Sequence, residues 1–570
     1  MKFSLSGGGK TKKGKQTLKP RFTIEQLPAV VQGEVIYEYT LPEYPNVKIV
    51  ISDDRGVGYY TVVEPGVTDD ERSLFSLLME KLYFGLKPTE RIEDPLKYVE
   101  KSMYEVAAEL EIEDEVKKSA DKLLYYIKRE VGYGKCEIPF RDTQVEEIEF
   151  QGYQTPLSVV HRFFSQYQRM STNIRFMNEE EAARFAERLS ERSGRAVNRA
   201  NPIIDGVLPE GHRLALTYSN EVSRPGTTWD VRKFPEKPFT IAELITFGAL
   251  TPLMASYLWV LLEAKRFMFV VGATGSGKTT LLNALLTLLH PQSKIVTIED
   301  TAELNLYQEN WVRLFTRPPS YVGTKAIGID ELVRTSLRYR PDVVVVGEVR
   351  GAEIAELVQA VATGHGGVTT FHGADSSDVF TRITGLLQEA VAEEFKSLIS
   401  ALIIVRRLQN PVTGKRERKV VEVDEVRYGE GGSTSVFPIF RWDFTQERYI
   451  IAEEQSPVSG EAAVDRLIAS SAYLGKAAEL LGVSLDQLRW ALLEREALIR
   501  TAVEKGIRDY RAFARMVIDY YYPKGIQQAL ESVRVAVANG NGTALSGAQT
   551  ELADAPSEPA EREAGPERGA

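Results

Sequence analysis

At 570 residues the chain is too long for one hydrophobic core, and roughly 100 to 200 residues per domain predicts three or four units. Lys and Arg number 70 against 80 Asp and Glu, a formal charge of -10, which removes the bulk-charge argument for nucleic-acid binding and leaves only a local patch. The single cysteine, Cys136, excludes an intrachain disulfide and a multi-cysteine metal centre; with no apolar run of about 18 residues and no apolar leader, a soluble protein of a reducing cytoplasm is expected.

Over residues 1–20, Lys2, Lys10, Lys12, Lys13, Lys15 and Lys19 stand among small polar residues with no acidic neighbour. This predicts a disordered basic arm, either a solvated tail or a contact for anionic lipid. Residues 21–135 carry strand-like runs at Glu34 to Tyr39, Val47 to Ile51 and Tyr59 to Val63, then a helical pattern through Leu74, Leu77, Leu78 and Leu82. They read as a small α+β domain with no histidine and no catalytic constellation. A second α+β domain is expected over 136–237, with strands at Val145 to Phe150, Leu214 to Tyr218 and Thr228 to Arg232 around a helix from Glu179 to Ser193. Arg213 and Arg232 sit at strand ends, where a planar guanidinium suits an oxyanion and a surface ion pair is the alternative.

The most specific stretch lies in an expected α/β domain over 238–440. Apolar Met268 to Val271 breaks into Gly272, Ala273, Thr274, Gly275, Ser276, Gly277, Lys278, Thr279 and Thr280, which is the G-x-x-x-x-G-K-T pattern of a phosphate-binding loop between a strand and a helix. The glycines let successive N–H groups turn toward an anion, Lys278 reaches the β and γ phosphates, and the Thr279 hydroxyl ligates Mg²⁺, so ATP with Mg²⁺ is the expected cofactor pair. A strand from Lys294 ends in Glu299-Asp300-Thr301-Ala302-Glu303, carboxylates placed where open α/β sheets bind ligands. Val343 to Val346 predicts a strand buried on both faces that delivers Glu348 beside the loop, to the Mg²⁺ shell or the attacking water. Gly347 intervenes, where the commoner pattern has Asp directly after the strand. His365 and His372, two of five histidines, bracket a short strand and are assigned to sensing the γ-phosphate. Helices are expected over 441–537 after a linker-like start at Arg441, with Leu485, Leu488, Leu492 and Ile499 as a core stripe, and a disordered acidic tail over 538–570.

The ordered set of P-loop, Ile298 to Leu304, Val346-Gly347-Glu348 and Thr363 to His372 resembles the type II/IV secretion system ATPase superfamily. Pro202 to Arg213, Arg232-Lys233-Phe234, Asn310 to Arg313 and Thr316-Arg317 are similar to its archaeal branch, which drives archaella and type IV pilus-like filaments. The resemblance implies an α/β fold, a RecA-like P-loop NTPase motor preceded by α+β N-terminal domains, the second PAS-like, and followed by C-terminal helices. It further implies a cytoplasmic homo-hexameric ATPase, peripheral at the membrane, with a polytopic membrane platform protein as partner. Glu303 then maps to a catalytic carboxylate, Glu348 to the Walker B glutamate, and Arg213, Arg232, Arg313 and Arg317 to nucleotide-reaching arginines. A related DNA-translocating or DNA-uptake ATPase, and a nucleotide-binding scaffold without turnover, are the alternatives.

Overall fold

A computed structural model describes residues 22–85, 95–164, 166–235, 237–317, 325–349, 353–362, 364–409, 416–429, 434–452 and 459–522. The expected basic arm, the acidic tail and Thr363 lie outside the described residues. The chain divides into two compact units, Met1–Phe234 and Pro235–Ala570.

The first unit is built on one nine-stranded sheet. Its strands are β1 (Glu34–Leu41), β2 (Tyr44–Asp54), β3 (Val57–Val63), β4 (Val145–Phe150), β5 (Ser158–His161), β6 (Met170–Thr172), β7 (Ile203–Val207), β8 (Arg213–Thr217) and β9 (Thr228–Arg232), in the order β1-β2-β3-β6-β5-β4-β9-β8-β7. The expected division near residue 135 does not part this unit. β3 pairs with β6 in parallel, joining the early hairpins to the later strands, and one core runs from Ile49 and Tyr60 through Leu78, Met103 and Tyr126 to Phe150, Trp229 and Val231. Cys136 lies inside that core, where burial pushes its thiol up to about 12. The helix Glu179–Arg192 starts on an Asn178 side-chain cap with three glutamates in its first turn, favourable for its dipole.

The second unit carries β10 (Phe267–Gly272), β11 (Ile295–Glu299), β12 (Trp311–Phe315), β13 (Val343–Val346), β14 (Gly366–His372), β15 (Ile399–Gln409), β16 (Arg416–Tyr428), β17 (Thr434–Asp443) and β18 (Arg448–Ile451). Their order is β12-β11-β13-β14-β10-β15-β16-β17-β18, parallel as far as β15 and antiparallel beyond it. Both faces of the parallel part are covered, which is why its strands are apolar runs. Phe267, Phe269 and Val271 enter one core, and Met268 and Val270 enter the other. The same alternation splits Val344 and Val346 from Val343 and Val345. One strand, β14, separates the P-loop strand from β13, the RecA-like placement.

The linker expected from Arg441 is instead sheet: β17 runs through that position and β18 follows it. Four helices then close the described chain: Glu461–Ser470, Leu474–Leu481, Leu485–Glu504 and Tyr510–Tyr521. Leu488, Leu492 and Ile499 join the core of this sheet, whereas Leu485 is exposed, so the predicted stripe is buried from its second member onward. Among the described residues no helix is long and apolar enough to cross a membrane.

Candidate nucleotide site

The P-loop begins where β10 leaves the sheet. A Cβ on Gly272 would lie 2.5 Å from both the Ser276 hydroxyl and the Val405 carbonyl, so only glycine fits the turn. Gly275 and Gly277 adopt φ of +74° and +98°, and Gly277 is the N-cap of the helix Lys278–Leu286. Lys278 is 7% exposed and its Nζ donates to the Ala273 carbonyl at 3.1 Å, which holds the ammonium across the loop rather than in solvent. The Ser276 Oγ is buried and has no hydrogen-bond partner. A helix N-terminus, left-handed glycines, a buried ammonium and an orphan hydroxyl form a donor set that fits a polyphosphate. Among the described residues no three or more His, Cys, Asp or Glu gather into a metal cage. Mg²⁺, which takes most of its ligands from phosphate and water, fits a site offering the half-buried Thr279 hydroxyl and Glu348.

The carboxylates leave the same edge of the sheet. Ile298 and Val346 are register partners and the Gly347 N–H donates to the Ile298 carbonyl at 2.8 Å, so the segments after β11 and β13 emerge side by side. Two strand spacings place the backbone of β13 about 10 Å from β10, room for a phosphate and an attacking water. Glu299, at the end of β11, is buried; burial first, then the nearby Glu303 charge, lift its carboxyl to about 7 against the Glu303 and Leu304 N–H groups and Arg313, which hold it down. Its Oε1 accepts from the N–H of Glu303 at 2.8 Å and of Leu304 at 2.9 Å.

The two histidines part company. His372 is the register partner of Gly272, beside the P-loop. His365 precedes the other end of β14, its Nδ1 3.2 Å from the Ala360 carbonyl, and Gly366 packs on Lys265. Gly366 stands six strand steps, about 20 Å, from His372, and His365 lies one residue beyond it, so within one chain the two histidines sit at opposite ends of β14, with only His372 beside the P-loop.

The arginines fall into two groups. Arg213 and Arg232 are opposed across β8 and β9 in the first unit, paired with Asp205 at 3.1 Å and Glu147 at 3.1 Å. The ion-pair alternative thus describes their present contacts. Arg313 and Arg317 belong to the second unit. Arg313 Nη2 donates to the Leu304 carbonyl at 3.3 Å, bracing the loop that carries Glu303, and Arg317 Nη2 donates to the Lys325 carbonyl at 3.1 Å.

The profile of the type II/IV secretion system protein family matches residues 157–454, more than half of the chain. The chain belongs to that family. An uncharacterized protein of Methanocaldococcus jannaschii is 36% identical over 333 residues, covering 58% of this chain and 59% of that protein. The chain therefore spans about three fifths of that relative's length. A putative conjugal transfer protein of Mycobacterium tuberculosis is 34% identical over 272 residues, 46% of this chain and 76% of that protein. Among solved structures, the VirB11 ATPase of the Brucella suis type IV secretion system aligns at 23% identity over 52% of this chain and 96% of that chain, with a TM-score of 0.26.

In this secretion-family chain several supporting residues carried no sequence signal. Asn283, inside the P-loop helix, accepts the Asn305 N–H at 2.8 Å, and Gln308 donates to the Leu286 carbonyl at 3.0 Å, lashing the Glu303 loop to that helix. Tyr510 donates its hydroxyl to the Asn305 carbonyl at 3.0 Å from the last described helix. Arg418 of β16 packs its stem 3.3 Å from where a Cβ on Gly277 would stand. No local motif marks these residues, because strand pairing and helix docking bring them to the site from distant positions.

Proposed function

We propose that this chain hydrolyses ATP as the motor subunit of a secretion or filament-assembly machine. The observation that carries the reading is the convergence on one sheet edge of the P-loop, the Glu303 loop, Glu348 and His372. In this reading Lys278 and the loop N–H groups bind the phosphates, Glu303 or Glu348 orients the attacking water, and Thr279 and Glu348 hold Mg²⁺, which would supply charge neutralisation on the phosphates. Little covalent chemistry is asked of the protein; grip and a positioned water suffice. Contacts of His372 and the arginines to a γ-phosphate would differ between ATP and ADP and so bias a two-state arrangement. Family membership supports a homo-hexamer working with a polytopic membrane platform protein at the cytoplasmic face.

Steady-state hydrolysis by wild type, Lys278→Ala and Glu348→Gln tests it. Turnover should fall at least ~100-fold in both variants, with circular dichroism unchanged. Equal slow rates in all three would leave only a binding scaffold. The conjugal transfer relative favours a second reading, a DNA-moving motor; salt-sensitive DNA binding and stimulation of turnover by DNA would support it.

A further inference from the structure

The loop from residue 300 to residue 310 has no regular structure, yet it must present Glu303 at a fixed place. The Glu303 N–H is taken by the Glu299 carboxylate, which also takes the Leu304 N–H. Glu299 is 3% exposed, at the rigid end of a central parallel strand, and its second oxygen is buried with no partner. Leaving such a group beside an acidic loop is costly unless its acceptor role is needed. The neighbouring strand makes room for it: a Cβ on Gly347 would lie 3.3 Å from Glu299 Cγ and 3.4 Å from the Ile298 carbonyl. That contact accounts for the departure from the common pattern, in which an acidic residue follows the strand directly. Any larger residue ahead of Glu348 would crowd Glu299.

We propose that Glu299 is a positioning residue for hydrolysis, fixing Glu303 through the two N–H groups it accepts, and that Gly347 serves it by leaving room. The inference rests on the proposed ATPase reading. Glu299 touches no reacting atom; it acts by narrowing the conformations of the loop, so its loss should lower the rate of the chemical step and leave nucleotide binding alone.

The test is steady-state ATP hydrolysis by the full chain, with Lys278→Ala as the control for the reading itself. Glu299→Ala should lower kcat about tenfold or more with KM for ATP within about twofold, whereas Glu299→Gln, which keeps an acceptor oxygen, should stay within about threefold of wild type. Gly347→Ala should lower kcat by pushing on Glu299, and the Glu299→Ala/Gly347→Ala double variant should be no slower than Glu299→Ala. If Glu299→Ala does not fold, Glu299→Met, similar in size and without an acceptor, takes its place with the same expectation. A kcat within twofold of wild type for the acceptor-less variant, a KM that rises as kcat falls, a Gln variant as slow as Ala, or additive losses in the double variant would overturn the inference. Full turnover by Lys278→Ala would instead overturn the ATPase reading, which keeps the two failures apart.

Discussion

Thr370 shows how much of the site rests on single groups behind it. Its hydroxyl donates to the Gly347 carbonyl, and its own carbonyl accepts the Val349 N–H at 3.0 Å, so Glu348 is held between two bonds to one residue of β14. Thr370→Val keeps the shape and removes the donor, leaving a backbone carbonyl without its partner. It should cost about 1 to 2 kcal/mol in denaturant unfolding and lower kcat without moving KM; unchanged stability would mean that the bond contributes nothing. At this scale the sequence was partly legible. Gly272 to Thr280 and Glu348 were readable because their chemistry needs fixed types at fixed spacing. His365 and His372 looked adjacent in the sequence, yet seven positions along an extended strand set them far apart within one chain. Thr370, Asn283 and Glu299 were illegible as supports, since a threonine in a strand or an asparagine in a helix looks like filler until its partner is known.

Among elements, the strands buried on both faces declared themselves: Val343 to Val346 was predicted residue for residue, and β10 to within one residue at either end. β17 and β18 did not, and neither did the long β16 that pairs with β17. Residues Lys419 to Val426 mix charge with valine, and the structure buries Lys419, Asp424 and Glu425 along with the valines. Glu425 is accounted for by Arg427 on its own strand and by the Tyr257 and Ser471 hydroxyls and the Ala472 N–H, partners drawn from elsewhere in the chain. A pattern rule that assigns charge to solvent therefore finds no strand there. The last described helix, Tyr510–Tyr521, docks by polar contacts as well as apolar ones. Tyr510 bonds the Asn305 carbonyl, and Tyr521 accepts from Trp259 Nε1 at 2.8 Å and donates to the Leu288 carbonyl at 3.2 Å. Tyr510→Phe keeps the ring against Tyr307 and deletes only the latch. It should cost about 1 kcal/mol and loosen hydrogen exchange at residues 303–308; protection unchanged there would show that the helix does not restrain the loop.

At the scale of the whole molecule, the two units should answer acid differently. In the first, burial lowers both His161 and His212 to about 4 from an ordinary 6.5. A histidine held neutral in the folded state takes its proton only on unfolding, so the first unit should lose stability as pH falls from about 6.5 toward 4. Asp230 opposes this in part, because burial and then Glu149 and Glu147 raise it to about 6, which favours the folded state as pH falls through that value. In the second unit Glu299, raised to about 7, works in the same direction as Asp230 and costs stability as pH rises through that range. Hydrogen exchange of the full chain at pH 7 and 4.5 should therefore show peptides of 22–234 losing protection before those of 237–522. The reverse order would contradict these assignments. The two-unit division was only half legible, because the β3–β6 pairing that merges the first two expected domains joins segments over a hundred residues apart, with nothing local to mark it.

The bond from Tyr510 to Asn305 spans 205 positions. During synthesis the P-loop, both acidic segments and the whole second sheet emerge before residue 510 exists, and chains fold from the N-terminus as they appear. Until the helix Tyr510–Tyr521 is made, the loop carrying Glu303 lacks that restraint. Full ordering of the loop that carries Glu303 thereby waits on translation through residue 510, 205 positions further along the chain.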